Sequence, residues 1–261
     1  MKRTHWVSVI LLLLCTCSKQ IQAADIALYS DRGTGEVCVI ATVRMFEWIG
    51  YKVALIDADF INNRDLNDFR IVCFPGGNMY QYAQDITSSG MEKVREFINN
   101  GGGYIGICGG AYFTGRRVKW QGRQLPMSPL AIFPGTTQGP VDDIAPYPDC
   151  VMCKIKITDH QHPVVQTEPD SAWIMYCYGP MLLPDSGADV QILGEYDSVG
   201  KPAVIAFAYG AGRVFIIGTH PEVEEDSDRD GIAFGDDFND KGSDWELMRK
   251  ATLWCLGELD D

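Results

Sequence analysis

Short apolar runs alternate with amphipathic stretches and glycine punctuation through the first half of the chain. Ile26–Ser30 is apolar and stops at Asp31-Arg-Gly-Thr-Gly35, after which Glu36–Ile49 carries apolar residues at helical spacing and ends at Gly50. Val53–Ile56 and Phe69–Phe74 predict two further strands, the second closing on Pro75-Gly76-Gly77. Met91–Asn100 predicts an amphipathic helix with Val94, Phe97 and Ile98 on one face, and Gly101-Gly-Gly103 breaks it before the buried strand Tyr104–Ile107. Strands alternating with helices in this way predict a parallel α/β sheet.

Val118 to about Asp170 is richer in Pro and Gly, and only Ile155–Ile157 and Ala172–Cys177 read as strands within it. Val190–Tyr196 predicts another strand. Ala203–Tyr209 and Arg213–Ile217 flank Gly210-Ala-Gly212, a turn that needs positive φ, and so predict a hairpin. A helix over Asp244–Leu256 closes the pattern. No repeat or linker divides the chain, so residues 25–261 read as one domain.

The first 24 residues read differently. Lys2 and Arg3 precede the apolar run Trp6–Leu14, too short to span a bilayer, and small residues follow at Ala23 and Ala24. This predicts a cleaved signal peptide and an exported protein, periplasmic or extracellular, with no membrane span. Cys15 and Cys17 follow Leu14 and Thr16 rather than the small residue lipidation wants, so a lipoprotein is the less favoured alternative. Cleavage would remove Lys2, Arg3 and Lys19 and carry the net charge from −13 to −16, which disfavours nucleic acid and anionic membrane surfaces as partners. Seven cysteines would remain, and an odd number leaves at least one thiol unpaired in an oxidising compartment. Cys150-Val-Met-Cys153 reads as structural cysteines or a disulfide ahead of a zinc half-site with His160 and His162.

Candidate chemistry concentrates at Gly103-Tyr-Ile-Gly-Ile-Cys-Gly-Gly-Ala111, where an apolar strand runs into Cys108 and then into a helix start. Gly106 and Gly110 flank Cys108 at the spacing of a nucleophile elbow, whose strained turn needs small neighbours. The helix N-terminus favours the thiolate, and the Gly109 N–H would face a developing oxyanion. Gly77 offers a second such donor, and Gly76 beside it a place in the substrate pocket. His220-Pro221-Glu222 follows a predicted strand and completes the order nucleophile, base, acid of a Cys-His-Glu triad. A buried structural cysteine in a glycine-rich loop is the bland alternative.

Phe74-Pro-Gly-Gly77, Gly106-Ile-Cys-Gly-Gly110, Tyr209-Gly-Ala-Gly-Arg-Val and Gly218-Thr-His-Pro-Glu222 resemble class I glutamine amidotransferases. Gly33-Thr34 and Gly110-Ala111-Tyr112 make the biotin-protein ligase N-terminal domain-like branch the nearer resemblance, over about Asp25 to Leu259. It implies a flavodoxin-like three-layer sandwich with a mostly parallel central sheet and a C-terminal antiparallel hairpin. It also implies Cys108, His220 and Glu222 as catalytic groups, an oxyanion hole at Gly77 and Gly109, and a substrate pocket beside Gly76 and Tyr112. Glutamine-using members carry Gln or Glu where Tyr112 stands, which argues against glutamine hydrolysis. With neither a synthase domain nor a biotin ligase catalytic domain in the sequence, the expectation is a cysteine amidohydrolase acting on a small amide, peptide or acyl substrate and requiring no cofactor. The alternative is a catalytically silent ligand-binding module.

One further motif stands apart. Asp226-Ser-Asp228-Arg-Asp230-Gly231 opens like a calcium loop, with carboxylates at positions one, three and five, and Asp237 falls at twelve. The choice is between a weak Ca2+ site at Asp226, Asp228 and Asp230 and a solvated acidic loop.

Overall fold

A computed structural model of the chain describes residues 24–224, 227–238 and 242–259. In chain order the elements begin with β1 (Ile26–Tyr29), α1 (Glu36–Ile49), β2 (Val53–Ile56), α2 (Ala58–Asn63) and β3 (Ile71–Phe74). Next come α3 (Met79–Asp85), α4 (Ser88–Asn99), β4 (Gly103–Ile107), α5 (Gly109–Thr114), β5 (Gly115–Trp120) and β6 (Arg123–Gln124). Then follow β7 (Phe133–Gly139), β8 (Cys150–Ile157), β9 (Ser171–Cys177), β10 (Met181–Pro184), β11 (Gln191–Tyr196), β12 (Lys201–Tyr209), β13 (Gly212–Ile217) and α6 (Trp245–Cys255).

Nine strands form one sheet in the order β2-β1-β3-β4-β13-β12-β11-β8-β9. The first five are mutually parallel, and every pairing from β13 outward to β9 is antiparallel. The fold is therefore the expected α/β sandwich, but its sheet is mixed, and the antiparallel part extends well beyond the one hairpin read from the sequence. A second, four-stranded sheet in the order β10-β7-β5-β6 takes up much of the Pro/Gly-rich middle.

Strand alternation explains the layering. Ile26 and Leu28 of β1 point into a core shared with Met45 and Phe46 of α1 and Met248 and Trp254 of α6. Ala27 and Tyr29 point into the opposite core, with Tyr82 of α3, Val94 of α4, Phe113 of α5, and Val118 and Phe133 of the small sheet. Both faces of the parallel strands are covered, which is why β1, β3 and β4 read as unbroken apolar runs. The carboxyl ends of β1, β3, β4 and β13 come out at one edge, where open α/β sheets place their sites.

Candidate active site

Cys108 follows β4 directly and sits at φ 47°, ψ −99°, a region that costs a side-chain-bearing residue about 1–3 kcal/mol. Three contacts hold it there. Its N–H donates to the Ile217 carbonyl of β13 at 2.9 Å, its carbonyl accepts from Tyr112 N–H at 2.9 Å, and the Tyr104 hydroxyl donates to the Gly110 carbonyl at 3.0 Å. The glycines are needed for close approach: a Cβ on Gly110 would run into the carbonyl oxygen of Phe74, and one on Gly109 into the backbone of Gly77.

That second contact brings the two oxyanion-hole residues of the sequence reading together. Gly77 has φ 150°, and its loop is tied down by the Asn78 N–H on the Gly33 carbonyl at 2.7 Å and the Gly35 N–H on the Gly76 carbonyl at 3.0 Å. Tyr82 supports the loop from below, its hydroxyl donating to the Gly76 carbonyl at 3.2 Å. Among the described residues neither the Gly77 nor the Gly109 N–H meets a backbone carbonyl.

His220 and Glu222 are buried, and Nδ1 of the imidazole lies 2.9 Å from Glu222 Oε1. The His220 N–H donates to the Met175 carbonyl of β9 at 2.8 Å, and Trp245 Nε1 donates to the Glu222 carbonyl at 3.0 Å. Burial alone would push the imidazole's pKa down, but the charges of Cys108 and Glu222, with hydrogen bonds to Cys108 and Cys38, raise it well above its ordinary value. The arrangement favours a protonated imidazole beside Glu222.

Cys108 and His220 line one cavity of about 580 Å³. Cys108 Sγ also lies 3.6 Å from the carbonyl oxygen of Cys177.

Sequence reasoning missed Cys38. It stands in the first turns of α1, lines the same cavity, and places its Sγ 3.9 Å from His220 Nδ1. Gly76 fits between the two, since a Cβ there would lie 2.7 Å from both Cys38 Sγ and His220 Cε1. Burial pushes the Cys38 thiol up, more than the hydrogen bond and charge of His220 pull it down, so Cys38 is held as a thiol. Donor atoms of Cys38, His220 and Glu222 lie within 4.8 Å of one another, a set that zinc accepts. Only proximity in the folded chain reveals it, because Cys38 and His220 are 182 residues apart.

Tyr112 stands behind the cavity rather than in its lining. It is buried, and its hydroxyl donates to the Tyr178 carbonyl at 2.9 Å, fixing the wall from outside. Gly76 and Gly109 likewise lie behind the lining, and Gly77 is part of it.

Of the cysteines, Cys150 is bridged to Cys177 across the β8–β9 pair, not to Cys153. Cys38, Cys73, Cys108, Cys153 and Cys255 are free and buried. His160 lies 3.3 Å from Asp170.

In the acidic loop, Asp226 lies outside the described residues, as do the signal-peptide residues 1–23. Asp228–Asp230 is a short 3-10 turn, and the buried Asp230 accepts the N–H groups of Glu224 at 2.9 Å and Ile232 at 3.1 Å. Arg229 pairs with Glu224 and lies over the ring of Trp245 at 4.3 Å.

Known proteins share the fold. The PurLQS structure of Thermotoga maritima shares the fold at TM-score 0.59 and 13% identity, covering 89% of this chain and 99% of that one. A glutamine amidotransferase from the same organism does so at TM-score 0.55 and 11% identity, over 90% and 99%. In sequence, the chain is 24% identical to the biotin–protein ligase of Schizosaccharomyces pombe over 216 residues, 76% of this chain and 33% of that protein. It is 28% identical over 130 residues to an uncharacterized protein of Chlamydia muridarum, 46% and 50% of the two chains. The chain thus spans between a third and a half of the length of these curated relatives. The model of the family described as "Biotin-protein ligase, N terminal" matches residues 24–243, and with the elbow and its facing His-Glu pair at the sheet edge, this chain belongs to that family.

Proposed function

We propose that the protein is an exported cysteine-dependent amidohydrolase that uses Cys108, His220 and Glu222 on a small amide, peptide or acyl substrate. The observation that carries the proposal is the buried His220–Glu222 pair at 2.9 Å, whose imidazole lines the same cavity as the strained elbow residue Cys108. The thiolate sulfur attacks the carbonyl carbon and a C–S bond forms. The oxyanion is met by the N–H groups of Gly77 and Gly109. The C–N bond then breaks and the amine leaves with the proton from His220.

Cys108 is then held as a thioester, and His220 stands without the proton that it gave to the amine. The neutral imidazole is then the base that takes a proton from the attacking water. Water adds to the thioester carbonyl, the C–S bond breaks, and the acid leaves with the thiol restored.

Export is supported by the Cys150–Cys177 bridge, since disulfides persist in oxidising compartments. A weak calcium site in the acidic loop stays part of the proposal, with Asp228 as the described ligand not engaged in Asp230's backbone contacts.

The second reading is a catalytically silent ligand-binding module. One observation favours it: Cys108 Sγ rests on the Cys177 carbonyl, and it is Cys38 Sγ that lies 3.9 Å from the imidazole nitrogen.

Alkylation separates the two readings. Iodoacetamide at neutral pH, followed by peptide mass mapping, is expected to label Cys108 ahead of Cys38, with labelling slowed about 10²–10⁴-fold in His220→Ala. Equal labelling rates in wild type and His220→Ala would remove the case for an activated thiolate.

A further inference from the structure

Resting on the hydrolase reading, the cavity narrows the substrate class. Trp120, at the end of β5, meets Tyr147 edge to face at 5.6 Å between ring centres, and Tyr147 meets Tyr178 in the same way at 5.1 Å. Tyr80, Leu125 and Phe234 complete the apolar wall. Tyr147 is 50% exposed and Phe234 is 41% exposed, so large rings stand uncovered at the mouth. Tyr178 is held at φ 54° with its carbonyl fixed by Tyr112, a sparsely populated backbone state of the kind found at ligand sites.

Among the described lining residues there is no Lys, Arg, Asp or Glu, and His220 is already paired with Glu222. Asn78 is the neutral polar side chain of the lining, and its Oδ1 is used by the Tyr80 N–H at 3.1 Å. Free glutamine would bring an ammonium and a carboxylate against described lining residues that offer neither an unpaired opposite charge, and such burial is unfavourable. A carboxylate would also enter against the net negative charge of the chain.

We infer that the site takes an uncharged amide whose acyl group carries an aromatic ring, and that it excludes free glutamine and other zwitterions. The ring packs edge to face against Trp120, Tyr147 and Tyr178, and the carbonyl reaches Cys108. The same lining helps turnover, because the carboxylate product gains a charge that the wall does not pair and therefore leaves.

Titration calorimetry on the purified full chain carrying Cys108→Ser, with phenylacetamide and with glutamine as probes, tests the class without requiring turnover. Phenylacetamide is expected to bind roughly ten-fold or more tightly than glutamine, and to weaken by about ten-fold in Tyr147→Ala, a half-exposed position whose truncation spares the core. Glutamine binding as tightly, no binding of phenylacetamide, or an affinity unchanged by both Tyr147→Ala and Trp120→Ala would each overturn the inference. Binding without hydrolysis by wild type would instead sink the hydrolase and keep the ligand class. Hydrolysis of glutamine would do the reverse.

Discussion

At Cys108 the backbone, not the side chain, carries the first requirement. A positive φ at a residue with a Cβ persists only where the surroundings enforce it, and here β13, Tyr104 and Tyr112 do so through hydrogen bonds. The imidazole beside it is tuned by the same sulfur, which makes its titration a direct readout of the pair. His220 observed by NMR should titrate well above 6.5 in wild type and lower in Cys108→Ser, because that variant deletes the thiolate charge and keeps Glu222. Identical titration in the two proteins would mean that Glu222 and Cys38 set the value without Cys108. The stability linkage has a definite sign. A histidine with a raised folded-state pKa contributes fully below its ordinary value of 6.5, and the contribution is lost as pH rises through the folded value. Cys108→Ser should therefore shift that loss to lower pH. Cys108, His220 and Glu222 were legible as candidates in the chain because each sits in a local pattern with a mechanical reason: glycines about a strained turn, and a histidine two residues before a glutamate after a strand. Cys38 was not, because nothing in Glu36-Val-Cys-Val39 marks contact with a residue far along the chain.

Among the elements, α5 shows how tightly the site is bound to the packing. Its first two residues, Gly109 and Gly110, lie against the backbones of Gly77 and Phe74, so the elbow and the β3 loop fit only without side chains. Gly110→Ala is expected to destabilise by about 3 kcal/mol or more, because the obstacle is a carbonyl of β3 that cannot swing aside. A denaturant midpoint unchanged from wild type would contradict this close approach. Helix α1 begins and ends where its glycines and apolar spacing predict. Helix α4 begins three residues before the predicted Met91, because Thr87 accepts the Gly90 N–H at 3.1 Å and caps a Ser-Ser-Gly turn that looks like loop. The small sheet was unreadable for a related reason. Its strands are short and interrupted by Pro and Gly, and β5 finds its parallel partner β7 only after the intervening chain has folded back.

On the scale of the whole molecule, the site joins three bodies: the parallel strands that supply Cys108, His220 and the glycine loops, the antiparallel extension that brings Cys177 and Tyr178, and the small sheet that brings Trp120. The Cys150–Cys177 bridge closes a separation of 27 residues within that extension. Replacing both cysteines by serine is expected to lower stability by about 3–4 kcal/mol from loop entropy, and to slow the proposed hydrolysis because Cys177 lines the cavity. Thermal melts and rates matching wild type would show the bridge to be dispensable. The sequence by itself determined the strands β1 to β4 and the helices α1 and α4 of the first half, the elbow, the His-Glu box and the family resemblance, since these depend on neighbours within a few residues, whereas the short helices α2 and α3 were not read from it. Only the tertiary structure decided the length of the antiparallel extension, the partner of Cys150, the second sulfur at His220 and the aromatic wall of the cavity. Each of those depends on which distant surfaces pack together, and packing is settled by shape and burial over the whole chain rather than by any local pattern.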